Sequence, residues 1–166
     1  MEPHNWSRFL LRIPVKADTA VIYSFLTTQE GLEKWFLRKA AFTNYDGISR
    51  NRKSPVEVND TYEWRWHGWS DEVVERGKIL EMNGKDALSF SFGKAGNVDV
   101  TVRQEQNETL VELVQRDIPV DESSQLSYHI GCTKGWLFYL TNLKSVLEGG
   151  IDLRNRNTEL KDVINS

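Results

Sequence analysis

The segment SRFLLRIPV, residues 7 to 15, places Phe9, Leu11, Ile13 and Val15 on one side at period two, the mark of a half-buried strand. Pro14 sets that strand at a sheet edge or near its own end, because proline cannot donate to a ladder. Asp18 and Thr19 offer an N-cap, and Ala20, Val21, Tyr23, Ser24 and Phe25 carry a short helix beyond it. Thr27 and Thr28, with Glu30 close behind, cap a second short helix in which Leu32, Trp35 and Phe36 keep helical spacing before the chain turns extended again. Residues 44 to 60, NYDGISRNRKSPVEVND, are rich in Asn, Gly, Ser, Pro and charge, and are expected to form a long mobile loop.

Five segments with strand periodicity follow. Tyr62, Trp64 and Trp66 alternate with Thr61, Glu63 and Arg65, and His67-Gly68 turns the chain. Glu72 to Met82 reads as one long strand closed by Asn83-Gly84, a two-residue hairpin signal. Leu88, Phe90 and Phe92 precede a turn at Gly93 to Gly96; Val98, Val100 and Val102 come next; Gln106-Asn107 turns into Thr109, Val111 and Leu113. Each segment has one wet and one dry face, as in an antiparallel sheet packed on one side.

The last third changes period. From the cap candidates Asp121 to Ser124 to the stop at Gly149-Gly150 the pattern predicts one long helix. Its apolar stripe is His129, Thr133, Trp136, Leu140, Leu143 and Leu147, widened by Leu126, Ile130 and Leu137. Beyond Gly150 the chain is polar and is expected to fray. The parts assemble as an α+β fold: a curved antiparallel sheet of about seven strands wrapped around a long C-terminal helix, with two short helices after the first strand. One domain is expected over residues 1–166, with its core at about 8–154 and a polar tail at 155–166.

Composition narrows the function classes. The chain has 166 residues, 11% of them aromatic, and a net charge of −3, so no basic field argues for nucleic acid. The longest apolar runs, such as Trp136 to Leu140, are far too short to span a bilayer, and the N-terminus lacks a signal-peptide core. The single Cys132 cannot make an internal disulfide, which fits a cytoplasmic location.

Catalytic signals are sparse. His4, His67 and His129 have no metal-ligand spacing and Cys132 has no CxxC partner, so neither a metal nor another cofactor is expected. Cys132 follows His129 by three residues and could share a helical face with it, the arrangement thiol activation needs, although a buried small residue beside a satisfied histidine is the plainer reading. Gly93-Lys94-Ala95-Gly96 leads into no helix and reads as a hairpin rather than a phosphate cradle. Glu63, Glu72, Glu75, Glu81 and Glu112 fall mostly at wet strand positions, while Asp71 and Glu72 could bring a carboxylate to a cavity mouth for acid–base work.

The element order resembles the START-like helix-grip superfamily, carried by LTTQEGLEKWF (26 to 36), YEWRW (62 to 66), GKILEM (77 to 82), TLVELVQ (109 to 115) and GCTKGWLFYLTNLKSVLEGGIDLR (131 to 154). Within it the chain is similar to bacterial proteins related to the C-terminal domain of the activator of the ninety-kilodalton heat-shock chaperone ATPase. The resemblance implies a deep apolar cavity between sheet and terminal helix, where many superfamily members hold lipids, polyketides or hormones. The inward candidates are Trp35, Phe36, Trp64, Trp66, Phe90, Phe92, His129, Thr133, Trp136 and Leu140, which could equally fill a core. Asp152 and Arg154 match the family's DLR end and are expected to fasten it to the sheet.

Four functions follow from these observations. The tryptophans at 35, 64, 66, 69 and 136 favour non-catalytic binding of a small apolar ligand. The resemblance offers a co-chaperone stimulating the chaperone ATPase, weakened because the first strand begins by about residue 8 and leaves no room for the eukaryotic activator's additional N-terminal domain. A cyclase- or aromatase-like enzyme of the same fold would need a polar group such as His129 or Asp71 in the cavity. A homodimer joined through the sheet edge or terminal helix is the fourth.

Overall fold

The computed structural model describes residues 3–160 and 162–164. Its strands are β1 (Phe9–Pro14), β2 (Lys39–Thr43), β3 (Thr61–Arg65), β4 (Glu75–Met82), β5 (Ala87–Ser91), β6 (Asn97–Glu105) and β7 (Glu108–Arg116). Helices α1 (Thr19–Thr27) and α2 (Gln29–Trp35) follow β1. The terminal helix α3 spans residues 122–147, built from an α turn (Glu122–Ser124), a π-helical stretch (Gln125–Ile130) and a regular helix (Gly131–Leu147). The sheet runs β1-β7-β6-β5-β4-β3-β2, every neighbour antiparallel, so the first strand closes beside the last. β1 is an edge strand and Pro14 is its last residue, as the missing donor requires.

The dry faces meet α3. Tyr62 and Trp64 of β3, Phe90 of β5, Val98, Val100 and Val102 of β6, and Val111 and Leu113 of β7 are buried together with Trp136, Leu140 and Leu143 of α3. A register shift between Ile79 and Glu81 marks a bulge in β4, a feature that bends a strand and deepens a sheet's curvature. The tandem helices pack closely because Gly31 has no side chain: a Cβ there would come within 2.6 Å of the Phe25 Cα. Thr28 caps α2 by accepting from the Gly31 N–H, whereas Asp18 sits at the N-cap of α1 without a side-chain bond.

Several expectations need correction. The extended chain after Phe36 is a full strand, β2, paired along its length with β3. β4 starts at Glu75, because residues 70 to 73 form a turn closed from the Val73 N–H to the Ser70 carbonyl. The Asn83-Gly84 signal yields a longer loop, in which Asn83 Oδ1 accepts from the N–H groups of Lys85, Asp86 and Ala87; it is Gln106-Asn107, both at positive φ, that makes the two-residue hairpin. Segment 44–60 is irregular but fastened. Asp60 is 1% exposed and bound by Arg50, Val56 is buried, and Pro55 bridges to Thr28. Leu126 and Leu137 lie exposed rather than widening the buried stripe, while Tyr139 and Asn142 join it.

The DLR end is fixed to α2 rather than to the sheet. Arg154, buried, donates to the carbonyls of Glu33, Lys34 and Leu37 and pairs with Asp152. The last carbonyls of a helix have no partner within it, and a guanidinium satisfies several at once. Asn142, fully buried on α3, completes the clasp by donating to the Trp35 carbonyl and Asp152 and accepting from the Leu153 N–H. The fraying expected beyond Gly150 therefore does not begin before Arg154.

Candidate functional site

The space between sheet and helix is nearly full. Trp35, Phe36, Trp64, Phe90, Trp136 and Leu140 converge on it, and only about 20 Å³ remains, room for roughly one water. The rings pack on one another: Phe36 stacks on Trp35 at 5.2 Å between centroids and on Trp136 at 4.9 Å, and Trp64 meets Phe36 and Phe90 edge-on. Trp35 Nε1 donates to the Phe25 carbonyl and Trp136 Nε1 to Gln115 Oε1, while the Trp64 indole N–H is buried without an acceptor among the described residues. These six candidates are thus brought together as a packed aromatic core.

The room lies one layer outward. A cleft of about 290 Å³ opens between the first half of α3 and the end of β3. Phe36, Trp66, Trp69, Phe92, Trp136 and Tyr139 wall it, and Gly131, Cys132 and Gly135 line it along the helix. Trp66 and Phe92 stand just past the ends of β3 and β5, where the strands stop and the sheet no longer presses on the helix. Gly135 keeps the cleft open, since a Cβ at that position would touch nothing within 4 Å. Trp69 in the β3–β4 loop is half exposed at the rim, with Val73 beside it. Such a concave, mostly aromatic surface suits a small apolar molecule.

His129 and Thr133 do not border this space. The His129 ring is buried against the N-terminal segment, with Nδ1 2.9 Å from the Trp6 carbonyl, Nε2 3.0 Å from His4 Nε2, and the Trp6 and Phe9 rings in T-shaped contact with it. Because a carbonyl only accepts, Nδ1 carries a proton and donates it to Trp6. Thr133 donates to the His129 carbonyl one turn back. The π-helical stretch just before Gly131 shifts the phase of His129 against Trp136 and Leu140, which lie in the regular helix beyond it.

The remaining titratable candidates sort clearly. Burial pushes the Cys132 thiol up, and the nearby charge of Glu75 adds to that, so the sulfur is held in its unreactive protonated form and His129 is turned away from it. Asp71 is fully exposed and bound by Arg38, whose guanidinium holds its carboxyl below the usual range, the opposite of what a general acid needs. Glu63 and Arg65 occupy the outer face of β3, and Arg76 of the neighbouring β4 pairs with Glu63. Glu75 departs from its expected wet position: it opposes Trp64 across β3 and β4 and so shares the inner face with Ile79. Residues 75 to 78, Glu-Arg-Gly-Lys, carry no apolar residue to mark a face, but counting back by twos from Ile79 identifies Glu75 as inward.

The architecture has known counterparts. A Staphylococcus saprophyticus protein solved by X-ray crystallography superposes with a TM-score of 0.67 at 17% identity, covering 89% of this chain and 96% of that one. The Aha1 dimer from Colwellia psychrerythraea, solved in solution, gives 0.64 at 18% identity over 86% of this chain and 97% of its own. DynU16, from the dynemicin biosynthetic locus, gives 0.66 at 16% identity, with 90% of this chain matched to 50% of that one. Identities this low speak for the fold alone. No curated protein sequence matches the chain. The family described as activator of Hsp90 ATPase homolog 1-like protein matches residues 16–148. The chain belongs to this family, within the START-like superfamily.

Proposed function

We propose that this protein binds a small apolar molecule in the open cleft between α3 and the end of β3, and not in the filled interior. The observation that carries the reading is an aromatic-walled cleft of about 290 Å³ beside an interior that holds only about 20 Å³. Ring faces from Trp66, Trp69, Phe92 and Tyr139 supply contact area at little cost in conformational entropy, and the two helix glycines leave depth. The place of DynU16 in a biosynthetic locus is compatible with a fold that handles small molecules.

Gly135→Leu gives a direct test. It plugs the cleft from a position with free space around it, and replacing a helical glycine favours the helix. Calorimetric titration with a panel of neutral aromatic, steroidal and fatty probes should give saturable binding to the parent protein and none to Gly135→Leu. Binding that survives the plug, or no binding by any class, contradicts the proposal. Stimulation of a chaperone ATPase, which the family's description names, is a separate reading; an unchanged rate with saturating protein added to a bacterial ninety-kilodalton chaperone removes it.

A further inference from the structure

Packing does not explain Glu75. Several carboxylates set against the body of the protein have cations: Glu33 of α2 has Arg52, Asp60 has Arg50, Asp99 has Arg116 and Asp152 has Arg154. Glu75 is half-buried on the inner face, and among the described residues no cation pairs with its carboxylate. Its location is set by three elements. It stands opposite Trp64 of β3, its Oε1 would lie 2.6 Å from a Cβ at Gly93, the residue after Phe92, and its charge is felt by the Cys132 thiol on α3. Phe92 and Cys132 both line the cleft. The Tyr62 hydroxyl, raised by burial and by the same charge, donates instead to the Ser91 carbonyl.

A carboxylate taken partly out of water without a cation is unfavourable, and burial indeed pushes the Glu75 carboxyl up. A cation delivered by a ligand would relieve that cost, in surroundings where water screens the pair poorly. The neighbouring aromatic faces attract cations as well. We infer that the cleft takes a ligand joining an apolar ring to a basic nitrogen, with the ring against Trp66, Trp69 and Tyr139 of the lining and the ammonium reaching past Phe92 to Glu75, which adjoins the lining at Gly93. This rests on the cleft being a binding site and names the chemistry it selects.

Three naphthalene probes of matched size separate the possibilities by calorimetry at neutral pH: naphthylethylamine, the neutral propylnaphthalene and the anionic naphthylacetate. The amine should bind about tenfold tighter than the neutral probe, the scale of one charge-assisted hydrogen bond, with the anion weakest. In Glu75→Gln the ratio of amine to neutral affinity should fall to about one. That variant is expected to melt at or above the parent, because it removes an unpaired, half-buried charge. Equal binding of amine and neutral probe by the parent, an anion that binds as well as the amine, or an amine preference that persists in Glu75→Gln overturns the inference while leaving the cleft as a binding site. Failure of all three probes to bind removes both.

Discussion

Phe36 stacks on Trp136 with centroids 4.9 Å apart, and these two rings border both the filled interior and the open cleft. They are the partition between the two. Phe36 arrives at the end of α2 and Trp136 from the middle of α3, so the partition stands only while the Asn142 and Arg154 clasp holds α2 against the terminal helix.

Removing one wall of the partition should join the spaces. Phe36→Ala is expected to cost about 3–5 kcal/mol, the range for truncating a buried phenylalanine. It should also admit larger apolar probes than the parent does. Urea denaturation and a size series of alkylnaphthalenes would measure the two effects together; a stable variant with unchanged size selection contradicts the assignment of Phe36 as a divider.

Gln115 holds the partition from the sheet side. It is fully buried on the dry face of β7, accepts from Trp136 Nε1 at 2.9 Å and donates to the Ala95 carbonyl at 2.8 Å. Gln115→Leu leaves both partners unpaired, and the expected loss is about 2–4 kcal/mol. In NMR spectra the Trp136 indole proton should move upfield; a variant as stable as the parent would show that the pair is not needed.

Acid should release the clasp. Burial works against the charged form of Asp152, but hydrogen bonds from Arg154 and Arg156 more than offset it and hold the carboxyl well below its usual range. Since the folded value is the lower one, this contribution is fully present above the unfolded value of about 4 and disappears as pH falls below it. Arg154→Ala should destabilise by about 3 kcal/mol at neutral pH. Asp152→Asn should flatten the fall of stability between about pH 4 and pH 2. An unaltered acid profile in Asp152→Asn would place the acid sensitivity elsewhere.

Much of this was legible from residue order. Alternation located β1, β3, β5, β6 and β7 because each buries one face, and the period change after Ile118 located α3. β2, Lys-Ala-Ala-Phe-Thr, was harder to see because two alanines blur alternation. The loop 44–60 looked unstructured because its order comes from an internal ion pair, Arg50 with Asp60, and from backbone ties of Val56 and Pro55 to Thr27 and Thr28, none of which leaves a periodic pattern. The inward aromatics were legible as a group, but composition cannot tell rings that meet from rings that surround a guest. Trp69 reads as a turn residue and becomes part of the cleft only when the β3–β4 loop folds over α3. Glu75 was assigned to a wet position and Gln115 was not singled out, because polar residues on a dry face carry no hydrophobic marker.

The six tryptophans report directly on where a ligand sits. Two-dimensional NMR of the indole N–H groups during titration with naphthylethylamine should show Trp66 and Trp69 shifting with saturation, while Trp35, bonded to the Phe25 carbonyl inside the core, stays in place. Shifts confined to Trp35 and Trp64 would put the ligand in the interior, and no shift at Trp66 or Trp69 would contradict the cleft as the binding site.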